Sequence, residues 1–190
     1  MKDKTGKLIV ISAPSGTGKS TVVKRLLEKT PNIIASVSFT TRPMRENEQE
    51  GVDYFFVDKK KFETMVDNNE FIEHATVFGN YYGTSRSSVD EIVKKKCNVL
   101  FDIDWKGAKQ LSDFKELNLL KIFILPPNKE ELKKRLIARN QDDEESIKNR
   151  LLAYSEDVNH SNEYDHVIIN DNAEKCFNEI KEIISKKVKL

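Results

Sequence analysis

The chain has 190 residues, 38% of them hydrophobic, enough for one core and an inserted lobe. Its 32 lysines and arginines nearly balance 31 aspartates and glutamates. The resulting net charge of +1 excludes the overall basic field of a dedicated nucleic-acid-binding protein, although it leaves a local basic pocket open. No apolar run approaches the roughly 18 residues that indicate a membrane span, so we expect no membrane segment.

The N-terminus and the cysteines indicate the compartment. Polar turn residues follow the first apolar residues too soon for the apolar segment of a signal peptide. Cys97 and Cys176 form no CxxC pair, which is typical of reduced thiols, and the three histidines lack metal-ligand spacing. We therefore expect a cytoplasmic protein.

Short apolar runs alternate with amphipathic stretches along most of the chain. The runs at 7–12, 98–103, 119–125 and 166–170 are typical of strands buried on both faces of a parallel sheet. Helices are predicted at 19–29, 129–138 and 173–188. Their apolar faces consist of Val22, Val23, Leu26, Leu27, Leu132, Leu136, Ile137, Cys176, Phe177, Ile180 and Ile184. The alternation predicts an α/β fold, in which helices cover both faces of a parallel sheet.

Two segments depart from this alternation. Residues 36–88 contain short strand-like stretches with aromatic side chains and glycine-containing turns, which predict a small mixed lobe inserted into the main sheet. Residues 139–150 are polar throughout, and Asp142 and Glu145 have the spacing of a helix-capping pair. This second segment is either a charged lid over a site or an ordinary solvated helix, and its pattern leaves both open.

The first predicted strand leads directly into a glycine-rich loop that opens a helix, as a phosphate-binding loop requires. Gly16 and Gly18 let backbone N–H groups turn toward anionic oxygens, and the helix N-terminus adds its positive end. Lys19 can reach the outer phosphates, and Ser20 offers a hydroxyl to Mg²⁺. The loop comprises Ala13, where the strict pattern has glycine, then Pro14, Ser15, Gly16, Thr17, Gly18, Lys19, Ser20 and Thr21. It predicts nucleoside triphosphate binding and leaves hydrolysis, transfer and binding alone open.

If the protein transfers a phosphoryl group, the site for the molecule that accepts this group must be inferred from polar residues between positions 38 and 104. Two arginines lie three residues apart, and guanidinium forks suit bidentate binding of phosphate. Hydroxyl donors and two carboxylates accompany them. Each residue alone has a simple structural explanation, and it is their combination that indicates a site. The group consists of Ser38, Thr40, Thr41, Arg42, Arg45, Tyr54, Glu73, Tyr81, Tyr82 and Asp104.

With these residues in place, the chain resembles the guanylate kinase family from about Lys7 to its C-terminus. The resemblance rests on SAPSGTGKST (12–21), SFTTRPMRENEQEGVDYFFV (38–57), EFIEHATVFGNYYGT (70–84), LFDIDWKGA (100–108) and the arginine-containing blocks within 133–151. It implies one domain with a P-loop NTPase three-layer α/β fold. The implied parts are a parallel-sheet core (about 1–36, 89–138 and 151–190), an inserted mixed α/β GMP-binding lobe (about 37–88) and a helical lid (about 139–150).

The resemblance also implies an enzyme that transfers the γ-phosphoryl group of ATP to GMP with Mg²⁺. The GMP-binding residues would be Ser38, Arg42, Arg45, Tyr54, Glu73, Tyr82, Thr84 and Asp104. The two arginines and two tyrosines would hold the monophosphate, Glu73 and Asp104 would accept from guanine N–H groups, and Ser38 and Thr84 would face the O6/N7 edge. The catalytic cations would be Lys19, Arg42, Arg135, Arg139 and Arg150. Asp102 would reach Mg²⁺ through water, and Asn170 would lie near the adenine.

The hydrogen-bonding groups of the nucleobase support GMP over AMP as the acceptor without reference to the family. Adenine has an acceptor at N1 where guanine has a donor, so a buried Glu73 would reject AMP strongly. Two alternatives remain: a non-catalytic guanylate-kinase-like protein-binding domain, and a P-loop kinase for another acceptor. A non-catalytic domain would be expected to show a damaged loop or lost arginines, and both are intact here. The expected partners are GMP and ATP, without nucleic acid or membrane, for a monomer or small homo-oligomer.

Overall fold

The computed structural model describes residues 6–114, 117–139 and 143–188. The strands are β1 (Leu8–Ser12), β2 (Ile33–Ala35), β3 (Phe39–Thr40), β4 (Phe55–Phe56), β5 (Phe71–Val77), β6 (Asn80–Ser85), β7 (Asn98–Asp102), β8 (Leu119–Leu125) and β9 (His166–Ile169). The helices are α1 (Lys19–Lys29), α2 (Lys59–Asp67), α3 (Arg86–Lys94), α4 (Trp105–Asp113), α5 (Lys129–Ala138), α6 (Glu144–Asn159) and α7 (Ala173–Lys187).

In the described residues, five parallel strands form the central sheet, in the order β2-β7-β1-β8-β9. Strand β1 is wholly buried and lies between β7 and β8, with Leu8 opposite both Val99 and Leu119. Because the strands are parallel, their carboxyl ends lie along one edge of the sheet, where ligands of such folds bind. The loops that follow β1, β7 and β9 therefore meet at this edge.

Helices cover both faces of this sheet, and alternate residues of each strand enter different cores. Ile9 and Ile11 join the core cluster that contains residues of α1 and α7, whereas Val10 joins the cluster that contains residues of α3 and α4. This arrangement confirms the predicted α/β fold with a parallel sheet between two helical layers.

A second sheet in the described residues has the order β4-β3-β6-β5 and is mixed, because β3 and β4 are parallel while β5 and β6 form an antiparallel hairpin. Its core cluster contains Phe62, Met65 and Phe71, the first two from α2. The strand register places Glu73 opposite Thr84, and Thr40 opposite Tyr82. The sheet thus brings polar residues from three separate segments together.

Two sequence-based expectations need correction. The prediction that Ile137 belongs to the packed face of α5 is wrong, since Ile137 is 54% exposed while Leu132 and Leu136 are fully buried. The predicted cap Asp142 lies outside the described residues, and Asp143 is the residue that caps α6, accepting from the Ser146 N–H at 2.8 Å. No residue of α6, all of which is described, is buried. Among the described helices, none has the length and hydrophobicity needed to cross a bilayer.

Candidate active site

The phosphate loop joins β1 to α1 and depends on two glycines. Gly16 and Gly18 have φ values of 90° and 97°, in the left-handed region that disfavours other residues. A Cβ on Gly16 would also come within 2.6 Å of a Leu136 methyl group, so glycine fits both the backbone and the space. Gly18 is the residue before α1, whose first N–H groups lack a side-chain cap. These N–H groups and the helix dipole favour an anion at the loop.

The back of the loop is held by two residues from distant segments. The Thr17 carbonyl accepts from Asn170 Nδ2 at 2.8 Å and from Arg135 Nη1 at 3.2 Å. Asn170 follows β9 and is 3% exposed, so its amide nitrogen is committed to the loop. Arg135 also donates through Nε to Glu131 at 2.9 Å, one turn earlier on α5. The structure thus gives Asn170 a loop-bracing contact that sequence reasoning missed; its position directly after a strand was the available signal.

Lys19 and Asp102 form an ion pair beside the loop. Lys19 Nζ lies 2.5 Å from Asp102 Oδ1 and also donates to the Ile103 carbonyl at 3.1 Å. Lys19 begins α1 and Asp102 ends β7, so the pairing of β1 with β7 brings them together. An incoming phosphate would compete with Asp102 for the ammonium group.

The oxygen donors at this edge fit Mg²⁺. Ser20 is exposed in the first turn of α1, and the Asp102 carboxylate lies beside the same helix end. Hydroxyl and carboxylate oxygens are the hard ligands that Mg²⁺ prefers, and it commonly keeps several waters and substrate phosphates as its other ligands. Within the described ranges no group of three His, Cys, Asp or Glu side chains could hold a metal, so protein ligands here would be few.

The predicted monophosphate site is organised around Arg42. Its Nη2 donates to Glu48 Oε1 at 2.6 Å, and its guanidinium carbon lies 5.5 Å from the Tyr54 ring centroid. The rings of Tyr54 and Tyr82 are 5.9 Å apart between centroids. Burial raises the pKa of Tyr54 above its usual value, so its hydroxyl stays protonated and able to donate.

Glu48 is a member of this cluster that sequence reasoning missed. Its second oxygen accepts from the Arg45 backbone N–H at 2.9 Å, and Arg45 Nη1 lies 4.0 Å from its first oxygen. Burial opposes ionisation of Glu48, but the hydrogen bonds from Arg42 and from the Arg45 backbone, together with the positive charges of both arginines, outweigh it, and the pKa of Glu48 falls below its usual value. The spacing of three residues from Arg45 was the sequence signal for this contact.

The predicted base pocket contains two carboxylates and two hydroxyls. Glu73 is 3% exposed, and burial raises its pKa to about 7, with the nearby Asp104 charge adding to the effect and hydrogen bonds from Thr84 opposing it. Ser38 Oγ and Thr84 Oγ1 lie 3.1 Å apart, both buried. Asp104 caps α4 and accepts from the Gly107 N–H at 3.0 Å.

Gly107 provides the space in which the Glu73 carboxylate lies. A Cβ on Gly107 would overlap Glu73 Oε2 and would lie 3.1 Å from Glu73 Cδ. Both Glu73 and Asp104 therefore lie against the first turn of α4. Sequence reasoning predicted the two carboxylates but not this glycine.

The remaining predicted arginines come from α5 and α6. Arg150 Nη1 donates to Ser15 Oγ in the phosphate loop, so the structure brings Arg150 as well as Arg135 to that loop. Arg139 directly follows α5, one turn beyond Arg135, and its backbone N–H donates to the Arg135 carbonyl at 3.1 Å.

Comparison with known proteins decides the family. The family model described as guanylate kinase matches residues 5–187. The chain belongs to the guanylate kinase family. A guanylate kinase of Agrobacterium fabrum is 48% identical over 181 residues, covering 95% of this chain and 82% of the relative. A guanylate kinase of Rickettsia bellii is 45% identical over 184 residues, covering 97% and 96% respectively.

Solved structures of similar proteins agree with the family assignment. The crystal structure of guanylate kinase from Anaplasma phagocytophilum has a TM-score of 0.81 at 37% identity, covering 98% of this chain and 88% of that one. The SH3-kinase fragment of tight junction protein 3 has a TM-score of 0.57 at 12% identity, covering 98% of this chain and 59% of that fragment. This second likeness concerns the fold alone.

Proposed function

We propose that the chain transfers the γ-phosphoryl group of ATP to GMP, giving ADP and GDP, as a kinase of purine nucleotide metabolism. The observation that carries the proposal is the buried Glu73 carboxylate with Thr84, Ser38 and Asp104 around it, in the same molecule as a phosphate loop. Membership of the guanylate kinase family, with relatives of that name along nearly the whole chain, supports it.

On the ATP side, the loop residues 13–21 would bind the phosphates through backbone N–H groups and the α1 dipole. Lys19 would leave Asp102 for the outer phosphates, and Asn170 would keep the loop in place while lying near the adenine end. Ser20, and Asp102 through water, would hold Mg²⁺, which when bound neutralises part of the phosphate charge. Arg135, Arg139 and Arg150 would add positive charge around the transferred group.

On the GMP side, Arg42, Arg45, Tyr54 and Tyr82 would bind the monophosphate as charged and neutral donors. Ionised Glu73 would accept from guanine N1–H and from the exocyclic amine, with Asp104 sharing the amine. Ser38 and Thr84 hydroxyls would face the O6/N7 edge. AMP would place an acceptor against Glu73, which explains selection for guanine in chemical terms.

The transfer itself requires no general base on the protein. A phosphate oxygen of GMP is already anionic; it forms the new bond to the γ-phosphorus while the bond to the β,γ-bridging oxygen breaks and ADP leaves. The obstacle is the approach of two polyanions, so the cations from both sides of the cleft carry the catalysis. Movement of a lid over about residues 139–150 would exclude water, which would otherwise compete as acceptor.

Family membership also supports a cytoplasmic setting and small-molecule partners. We propose a monomer or small homo-oligomer that acts on GMP and ATP without nucleic acid or membrane. The net charge of +1 supports the lack of a nucleic-acid partner.

The alternative function is a protein-binding domain of guanylate-kinase fold. The intact loop and the arginine contacts to Thr17 and Ser15 favour the enzyme. ADP formation should be measured with ATP and, in parallel, GMP, AMP, CMP or UMP, with a Lys19→Ala protein as control. We expect turnover with GMP far above the others. Preference for another acceptor would indicate a different kinase, and no turnover with any acceptor would favour the binding domain.

A further inference from the structure

The hairpin of β5 and β6 has an unusual residue at its tip. Val77 pairs with Asn80, so Phe78 and Gly79 alone form the turn. Their φ values are 47° and 77°, as in the two-residue turns that suit β-hairpins. Such turns favour Asn, Asp or Gly at the first position, and a bulky side chain there is strained. A phenylalanine at this position therefore works against the stability of the turn.

Packing within the lobe does not account for this residue. The Phe78 side chain is 44% exposed. In the described part of the chain, its ring lies outside the core cluster that contains Phe62, Met65 and Phe71. Backbone strain of this kind persists where another interaction maintains it, and it is concentrated at functional sites.

The interaction that Phe78 makes reaches another part of the molecule. The guanidinium carbon of Arg150, on α6, lies 4.8 Å from the centroid of the Phe78 ring. The same guanidinium donates to Ser15 Oγ in the phosphate loop. One arginine thus connects the hairpin tip of the second sheet with the loop of the central sheet. The opposite end of that hairpin contains Glu73 and Thr84.

We propose that Phe78 is a positioning residue for Arg150, holding its guanidinium at the phosphate loop by a cation–π contact. The proposal rests on the role given above to Arg150 in binding the phosphates. An arginine side chain has several rotatable bonds, and a ring under its guanidinium plane restricts them without competing for its N–H donors. In this role Phe78 acts through Arg150 and not on a nucleotide.

The test compares Phe78→Asn, Phe78→Leu and Phe78→Tyr with the unsubstituted protein. Asparagine tolerates positive φ, so Phe78→Asn should unfold at the same temperature or higher. Its kcat should nevertheless fall about two- to fivefold, the effect expected from the loss of a partly exposed cation–π contact. Phe78→Leu, which keeps apolar bulk without a π face, should lose kcat similarly. Phe78→Tyr should retain most of it. Val52→Asn, at another exposed apolar position of the lobe, is the matched control and should keep kcat.

A double-mutant cycle decides whether the effect acts through Arg150. In an Arg150→Ala background, Phe78→Asn should cause no further loss of kcat. Unchanged kcat in Phe78→Asn, a loss that accompanies a lowered melting temperature, or an equal further loss without Arg150 would each overturn the proposal. If Arg150→Ala itself keeps full kcat, the role of Arg150 in the proposed function fails, and the positioning proposal falls with it.

Discussion

Replacing Gly107 by alanine tests how the base pocket is built. Gly107 does not have a positive φ and lies in the first turn of α4, so the backbone accepts alanine, which favours helix by up to about 1 kcal/mol. The added Cβ, however, would lie 3.1 Å from Glu73 Cδ and would overlap Oε2. Ordinary carbon contacts are about 3.5–4.0 Å, so the Glu73 carboxylate must move by at least roughly half an ångström.

The expected cost follows from the hydrogen bonds that this carboxylate would make to guanine. A hydrogen bond to a charged group contributes about 1.5–3 kcal/mol, and we expect the displacement of Glu73 to break one of its two hydrogen bonds to guanine. The kcat/KM for GMP should therefore fall roughly ten- to a hundredfold, while the KM for ATP stays unchanged. The free energy of unfolding, measured in urea, should stay the same or rise by up to about 1 kcal/mol. Steady-state ADP formation with GMP varied provides the kinetic measurement.

Two further proteins make this measurement specific. Lys109→Ala changes an exposed residue of the same helix and should leave both substrates unaffected. In a Glu73→Ala background, Gly107→Ala should add no loss, because the group it displaces is gone. Wild-type kcat/KM for GMP in Gly107→Ala, or an equal loss in the parameters of both substrates, would refute the idea that this glycine makes room for Glu73.

Four further results are expected. Burial raises the pKa of Glu73 to about 7, so kcat/KM for GMP should fall as pH decreases through about 7. Glu73→Gln should lose this inflection, and a flat pH profile in the unsubstituted protein would contradict the placement of ionised Glu73 in the base pocket. Because this pKa is raised in the folded protein from its usual 4.5 to about 7, stability should fall as pH rises from about 4.5 to about 7, and Glu73→Gln should therefore raise the melting temperature more above pH 7 than below pH 4.5. Lys19→Ala should lower kcat about a hundred- to a thousandfold with folding intact, and near-normal turnover would remove the loop from catalysis. Glu48→Ala removes the acceptor of the Arg42 side chain and of the Arg45 backbone N–H, so the KM for GMP should rise roughly tenfold with the KM for ATP unchanged. A KM for GMP equal to that of the unsubstituted protein would mean that Glu48 does not orient the arginines.

The sequence predicts the long elements of the core well, for identifiable reasons. The β8 strand at 119–125 and the helices at 19–29 and 129–138 are found with the predicted bounds, because each combines a clear period with flanking turn or capping residues. Strand β2 has three residues, too few for a pattern to be recognised, whereas β3 and β4, with two residues each, lie inside the strand-like stretches predicted within 36–88 but are too short for their bounds to be predicted. Ile137 was misplaced because an apolar side chain adjacent to a packed position can still face solvent.

For the site, the sequence predicts which residues take part but not which residues they contact. The motifs name the groups that the chemistry requires, including Lys19, Arg42 and Glu73. They do not reveal that Asn170 holds the Thr17 carbonyl, that Glu48 binds Arg42, or that Glu73 lies against Gly107. These contacts depend on how the strands are ordered and how closely α4 approaches β5, which no local pattern contains.

The most direct test of guanine recognition is the kcat/KM for GMP and for AMP in the unsubstituted protein and in Glu73→Gln. The amide keeps one acceptor and adds a donor, so one contact with guanine becomes donor against donor, and GMP efficiency should fall about tenfold to a hundredfold. The amide can pair with adenine N1 and its amino group, so the GMP/AMP ratio should narrow while the KM for ATP barely changes. An unchanged GMP/AMP ratio would remove Glu73 from the base pocket and contradict the assignment of GMP as the acceptor.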